Sequence, residues 1–186
     1  MQLTGKEIVQ EGIIQGYVPE AVQQQGIDLR LREIREFGHV NEQTKVWEQN
    51  FHLDCIGIIP TEGKTTLPKS RVVEPGTYAG MYGWKLMPGY YEVIFEEGCK
   101  MPKDRVMVFI TRSSGVRCGI EIICGQFDAG FNTDHMGCFM RVHENVFIGD
   151  HARVAQTRIT KTAPVDSDKM YDGQWQGDKQ RAEQQK

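Results

Sequence analysis

Apolar and polar positions alternate in short runs along most of the chain. GIDLRLREI (26–34) is the clearest run. Ile27, Leu29 and Leu31 fall on one side and Asp28, Arg30 and Arg32 on the other, the period of a half-buried strand. Further short runs follow with turn residues between them: YYEVIFEE (90–97), RVMVFITR (105–112), CGIEIICG (118–125), GCFMRVHE (137–144) and ARVAQTRI (152–159). Strands of this length and spacing predict an all-β sandwich or barrel rather than alternating βαβ units. LDCIGII (53–59) reads as one more strand within a weakly patterned, turn-rich stretch from 35 to 75. Helical patterning is confined to the start. In TGKEIVQEGII, Thr4 caps, Glu7 stands three residues on and Ile8 opens the apolar face, the signature of a capped short helix. Gly16 and Pro19 end that unit.

The pattern fails after Pro164. DSDKMYDGQWQGDKQRAEQQK is polar, yet it carries Met170, Tyr171 and Trp175. It reads either as a solvated tail or as a tail that folds over a ligand. With 186 residues in all, the expectation is one domain over 1–163 followed by a polar tail over 164–186. A formal net charge of −3 points to neither a nucleic-acid nor a membrane partner. No apolar run approaches the ~20 residues that span a bilayer, and MQLTGKEIVQEGII lacks the apolar core of a secretory signal. Cys55, Cys99, Cys118, Cys124 and Cys138 are scattered, with no CxxC and no His at zinc spacing. Reduced, mostly buried thiols in a cytosolic protein are expected.

No Walker loop, GxGxxG, GxSxG or HExxH occurs. His135, His143 and His151 have no nucleophile partner in sequence and read as surface or loop histidines. Four local stretches carry candidate chemistry. Gly26-Ile27-Asp28-Leu29-Arg30 puts a carboxylate on a strand. Arg112-Ser113-Ser114-Gly115 ends an apolar strand with a cationic fork, two hydroxyls and backbone N–H groups, a plausible anion cradle. GQFDAGF (125–131) sets Asp128 between two glycines. It is either a hairpin with Phe127 and Phe131 in the core and Asp128 capping the turn, or the wall of a small-molecule pocket. Arg153-Val154-Ala155-Gln156 ends a short apolar run in an amide.

Taken in order, GIDLRL, LMPGYYEV, PKD, RSSGVRCGI, GQFDAGF, GDHARVAQ and YDGQWQG resemble the trimeric dUTPase and dCTP deaminase superfamily. The start, MQLTGKEIVQEGII, is similar to its dCTP deaminase-type members. Residues 35–75 match least. The resemblance implies an all-β, distorted jelly-roll β-barrel with a short N-terminal helix. It also implies a homotrimer with sites between subunits, closed by the C-terminal tail.

The two branches differ at the site. In the deaminase branch a Glu, five residues after the Gly matched by Gly137, moves protons at the pyrimidine. Here that position is Val142, which cannot. Glu144, two residues on along an alternating strand, would place its carboxylate roughly 6 to 7 Å away. The dUTPase pattern is therefore expected: a dUTP diphosphatase giving dUMP and pyrophosphate. The alternatives are a dCTP deaminase, mono- or bifunctional, and a non-catalytic nucleotide-binding regulatory module.

By resemblance, Asp128 activates the attacking water. Gly125, Gln126 and the hairpin backbone hold the base, and Phe131 packs on the deoxyribose. Arg112, Ser113, Ser114 and Gln156 contact phosphates, Trp175 stacks on the base, and Asp28 holds Mg²⁺ through water. The metal is expected to arrive with the substrate. Two features depart from the family pattern. Residues 132–135 lengthen the loop beside the sugar. The tail holds Gln174, Trp175 and Asp178 where deaminase-type tails have Lys-Tyr and a later Gln, with Lys179 or Arg181 left to compensate the charge. The expected setting is the cytoplasm, or the host cytoplasm if the source is viral.

Overall fold

The longest apolar alternation becomes the longest strand. In the computed structural model, which describes residues 1–41, 43–49 and 57–178, this strand runs over Gly26–Val40. It continues well past the segment its sequence pattern marks. On one side it pairs antiparallel with Gly89–Phe95 and on the other with Arg153–Lys161. A nine-stranded sheet grows from it in the order Arg105–Thr111, Arg153–Lys161, Gly26–Val40, Gly89–Phe95, Gly137–Val142, Ile120–Ile123, with Val22–Gln23, Trp47–Gln49 and Ser70–Val72 added to the long strand.

The two outer strands of that order meet. The Ile122 N–H donates to Thr111 Oγ1 at 2.8 Å and the Phe109 N–H to Cys124 Sγ at 3.1 Å. Side chains, rather than a continuous backbone ladder, close this seam, and the sheet becomes a nearly closed barrel. The expected all-β barrel is thus what forms. Its interior is the inward half of each alternation: Ile27, Leu29, Leu31, Ile34, Val93, Phe95, Met107, Met140 and Ile159 are all buried.

The short helix forms over Gly5–Gln10 with its capping box complete. Thr4 Oγ1 accepts from the Glu7 N–H and Glu7 Oε2 accepts from the Thr4 N–H. This helix packs on the long strand near its start. Asp28, enclosed by Gln156, Arg112 and Arg153, is buried as deeply as Ile27 and Leu29, so the simple split of that strand into a core side and a solvent side fails near its start. Gly26 allows the tight approach. A Cβ there would collide with the Thr157 carbonyl on the neighbouring strand.

Two small sheets were not legible as such. Gly76–Tyr78 and Met81–Leu86 form a hairpin that pairs with Val146–Gly149. Its turn holds Ala79 and Gly80, both at positive φ, the two-residue geometry that strand twist favours. Ala in the first turn position hid it. The second small sheet joins Ile14–Gln15, Gly98–Lys100 and Asn132–Thr133. The strand expected over 53–59 lies mostly outside the described residues. Cys99, Cys118, Cys124 and Cys138 are in no disulfide, and among the described residues no helix is long and apolar enough to cross a membrane.

The seam gives a direct test. Thr111→Val keeps the side-chain shape and removes the oxygen that accepts the Ile122 N–H. Urea unfolding is expected to show a loss of about 1–3 kcal/mol, as a lower midpoint at unchanged slope.

Candidate active site

The GQFDAGF segment is not a regular hairpin. Phe127 forms an isolated bridge to the barrel, exchanging both backbone hydrogen bonds with Met107 at 2.8 and 3.0 Å. The chain then turns, with the Phe131 N–H donating to the Asp128 carbonyl at 3.1 Å. Gly130, at φ +88°, holds the third turn position, where a positive φ is required. A Cβ on Gly130 would also press on Met170 of the tail. Both phenylalanines are half-buried and pack against the core, which bears out the hairpin reading in part, and both also line a cavity. The same reading had Asp128 capping the turn, and its side chain does not do so. Its Oδ1 accepts from Gln126 Nε2 at 2.8 Å, and the residue lines the same cavity.

That cavity has a volume of about 360 Å³. Gly125, Gln126, Asp128 and Phe131 form one wall, and Ile123, Phe139 and Glu92 another. Tyr171 and Trp175 come from the tail. The tail is bonded to the same segment it covers. The Tyr171 N–H donates to the Ala129 carbonyl at 2.8 Å, Gln176 Nε2 to the Gly130 carbonyl at 3.0 Å, and the Asn132 N–H to Gln176 Oε1 at 3.0 Å. Gln174 Oε1 accepts from the Thr65 N–H at 2.9 Å, and the Trp175 N–H donates to the Tyr171 hydroxyl at 3.2 Å. Burial pushes the Tyr171 phenol up, and the negative charge of Asp128 adds to that. Asp178 ends the described tail; Lys179 and Arg181 lie outside it.

The second cluster lies around Asp28. Register places Gln156 opposite Asp28 on the paired strand, and Gln156 Nε2 donates to Asp28 Oδ1 at 3.0 Å. Arg112 Nε stands 3.1 Å from Asp28 Oδ2, and Arg153 Nη1 stands 3.6 Å from it. Arg112 Nη1 also donates to the Arg153 carbonyl at 3.0 Å. Burial pushes the Asp28 carboxyl up, while Arg112, the Gln156 hydrogen bond and Arg153 pull it back. Ser113 and Ser114 are exposed and open the short helix Ser113–Arg117 directly after Arg112. None of these residues lines the cavity. The candidate residues therefore form two groups on one chain, with Gly125, Gln126, Asp128, Phe131 and Trp175 in one and Asp28, Arg112, Ser113, Ser114 and Gln156 in the other.

For Mg²⁺ the donor chemistry is limited. No group of three or more His, Cys, Asp or Glu that could hold a metal occurs among the described residues. Asp28 Oδ2 is buried with no hydrogen-bond partner. One under-used carboxylate oxygen beside two guanidinium groups fits contact through water with a metal carried by phosphates, and does not fit direct ligation.

Among the cavity residues that escape sequence reading are His135, Glu92 and Cys138. His135 does sit in a loop, as expected, but it is half-buried on the cavity wall, with Nδ1 3.2 Å from the Glu96 carbonyl. Glu92 sits in an ordinary alternation, and only strand register brings it to the cavity. Cys138 lines it as well. Val142, in contrast, is buried in the core. The strand ends there, so Glu144 lies beyond it and the expected same-face relation of these two residues does not apply.

Comparison with known proteins places the chain. Residues 3–162 match the family model described as dCTP deaminase-like. A probable deoxyuridine 5'-triphosphate nucleotidohydrolase of Aeropyrum pernix is 24% identical over 184 residues, covering 96% of this chain and 99% of the relative. One of the same description from Halobacterium salinarum is 32% identical over 124 residues, covering 64% of this chain and 71% of the relative. The crystal structure of 2'-deoxycytidine 5'-triphosphate deaminase from Agrobacterium tumefaciens superposes with a TM-score of 0.57 at 15% identity, over 85% of this chain and 47% of that one. The barrel is therefore a fold shared with that enzyme, and the chain spans about half its length.

The burial of Asp28 sets a pH dependence. Its folded pKa is raised, so the folded state holds the proton more tightly than the unfolded chain, whose value is about 3.9. The contribution to stability is full below that value and is lost as pH rises through the folded one. Asp28→Asn lacks this loss. Urea midpoints measured from about pH 4 to pH 7 are expected to move in favour of the variant relative to wild type; a constant difference would show that Asp28 titrates as in the unfolded chain.

Proposed function

The chain belongs to the dCTP deaminase-like family, and from that premise we propose that it is a dUTP diphosphatase, converting dUTP to dUMP and pyrophosphate. One observation carries the choice between the chemistries of this superfamily. The strand position at which a deaminase keeps its proton-moving Glu holds Val142, deep in the core, while Asp128 lines the cavity and is held there by Gln126. A carboxylate so fixed takes a proton from water as the water attacks phosphorus. The names of the Aeropyrum and Halobacterium relatives agree with this reading.

In this scheme the segment at 125–131 holds the base through its backbone, Phe131 packs on the deoxyribose and Trp175 closes from the tail. Arg112, Ser113, Ser114 and Gln156 bind the phosphate chain. Bound Mg²⁺ would neutralise charge on that chain, with Asp28 holding it through water. The separation of the two residue groups favours a homotrimer in which one subunit offers the cavity and another the phosphate group. A free nucleotide substrate suits a cytoplasmic enzyme.

Purified protein with dUTP and Mg²⁺ is expected to release dUMP and pyrophosphate, with loss of activity in EDTA and a fall of at least about 100-fold in Asp128→Asn. Ammonia from dCTP would transfer the assignment to deamination. Full activity in Asp128→Asn would remove this residue from the chemistry.

The shared site is tested separately. Asp128→Asn and Arg112→Ala are each expected to be inactive. Co-expressed, they should regain activity, because some sites then combine an intact Asp128 with an intact Arg112. No recovery would mean that one chain supplies both.

A further inference from the structure

One side chain of the tail completes the backbone around Phe131. Gln176 Nε2 donates to the Gly130 carbonyl at 3.0 Å, and Gln176 Oε1 accepts from the Asn132 N–H at 3.0 Å. The carbonyl before a residue and the N–H after it are the pair that one residue of a parallel strand would bond. Here a single carboxamide takes both. Gln176 is itself brought there by the Tyr171 N–H, which donates to the Ala129 carbonyl at 2.8 Å, and by the turn in which the Gln176 N–H donates to the Gly173 carbonyl at 3.1 Å.

The remaining groups of the same two peptide planes are held from the other side. The Phe131 N–H donates to the Asp128 carbonyl at 3.1 Å, and the Phe131 carbonyl accepts from the Met101 N–H at 2.9 Å. Each plane flanking Phe131 is therefore fixed at one end by the barrel segment and at the other by Gln176. A peptide plane is rigid, but one held at a single end can rock about the line joining its two Cα atoms, and the Phe131 Cβ turns with it. The ring that this backbone aims lines the cavity, between Phe127 at 5.2 Å and Tyr171 at 5.3 Å. Gln176 does not line the cavity.

Resting on the diphosphatase reading, in which Phe131 packs on the deoxyribose, we propose that Gln176 is a positioning residue that sets the preference of this enzyme for a 2′-deoxy sugar. It acts through Phe131, by fixing the angle at which the ring meets the sugar. A ring packed there leaves a 2′-hydroxyl buried without a hydrogen-bond partner, which costs free energy. An apolar site rejects an added hydroxyl by only about a hundredfold, so a ring that rocks loses much of that rejection. Asp128 keeps its own partner, Gln126, whether or not Gln176 is present.

The test uses full-length protein with dUTP and UTP in turn, with Mg²⁺. Gln176→Met keeps the length of the side chain and removes both hydrogen bonds. Gln176→Glu keeps the acceptor for Asn132 and sets a second oxygen against the Gly130 carbonyl. Each is expected to lower the dUTP-to-UTP ratio of kcat/KM by roughly tenfold, through KM, with kcat for dUTP little changed. A residue that only docked the tail would raise KM for both nucleotides alike and leave the ratio where it was. Amide hydrogen exchange checks the clamp without turnover. In Gln176→Met the Asn132 amide is expected to exchange faster, while the Met101 amide, which holds Phe131 from the barrel side, keeps its protection. An unchanged ratio, an Asn132 amide as protected as in wild type, or loss of protection at Met101 as well overturns the inference and leaves the diphosphatase reading standing. Turnover of neither nucleotide by wild type overturns both.

Discussion

A carboxylate with no exposed surface, at the start of the longest strand, constrains much of this architecture. Removing an ion from water costs several kcal/mol even after relaxation, so Asp28 must be compensated where it stands. Gln156 does this across the paired strand and Arg112 from the end of the Arg105–Thr111 strand. Arg112 immediately follows Thr111, whose hydroxyl closes the barrel seam. The buried charge, the seam and the start of the Ser113–Arg117 helix are therefore fixed together. Two residues along, the same strand repeats the device. Arg30 donates from Nε and from its backbone to the buried Glu97, at 2.7 and 2.8 Å. Burial pushes the Glu97 carboxyl up and Arg30 pulls it back. The Glu97 carbonyl in turn accepts from Met136 at 2.8 Å, which ties down the loop beside the cavity. One strand thus anchors both residue groups through buried ion pairs.

Aromatic packing carries order from the barrel to the tail. Ring contacts run from Phe95 to Phe109, Phe127, Phe131 and Tyr171, with centroids 4.7 to 5.5 Å apart. Each pair adds roughly 0.5–1.5 kcal/mol beyond its buried area. Phe131 consequently does two things at once. It packs against the core, and it gives the tail a surface on which Tyr171 rests above Asp128. The two readings left open by the sequence GQFDAGF were not exclusive.

The barrel was legible in sequence because its strands are half-buried and alternate with period two. The helix was legible because Thr4 and Glu7 form a reciprocal cap. Asp28 shows the limit of that method. Alternation assigned it to the side opposite Leu29, and nothing local reveals that Gln156 and Arg112, far away in sequence, enclose it there. Glu92 fails for the related reason that its place depends on which strand pairs with which, and in what register. His135 sits in a loop whose path is set by Glu96 and Glu97, far away in sequence. The ordered family motifs identified the candidate residues but could not show that one chain holds them in two groups.

The chain offers three carboxylates near these groups, and their surroundings divide the labour. Asp28 is fully buried beside two guanidinium groups and an amide, so it lacks the reach of a group that must meet water at the cavity. Glu92 is largely enclosed, with Arg35 Nε 3.8 Å away, so it too lacks the reach of a group that must meet water. Asp128 lines the cavity with a neutral amide as its hydrogen-bond partner, and among the described residues no cation is paired with it. A general base needs reach and an uncommitted lone pair. Of the three, Asp128 is the one whose environment provides both, and that assignment follows from its neighbours as much as from its place in a motif.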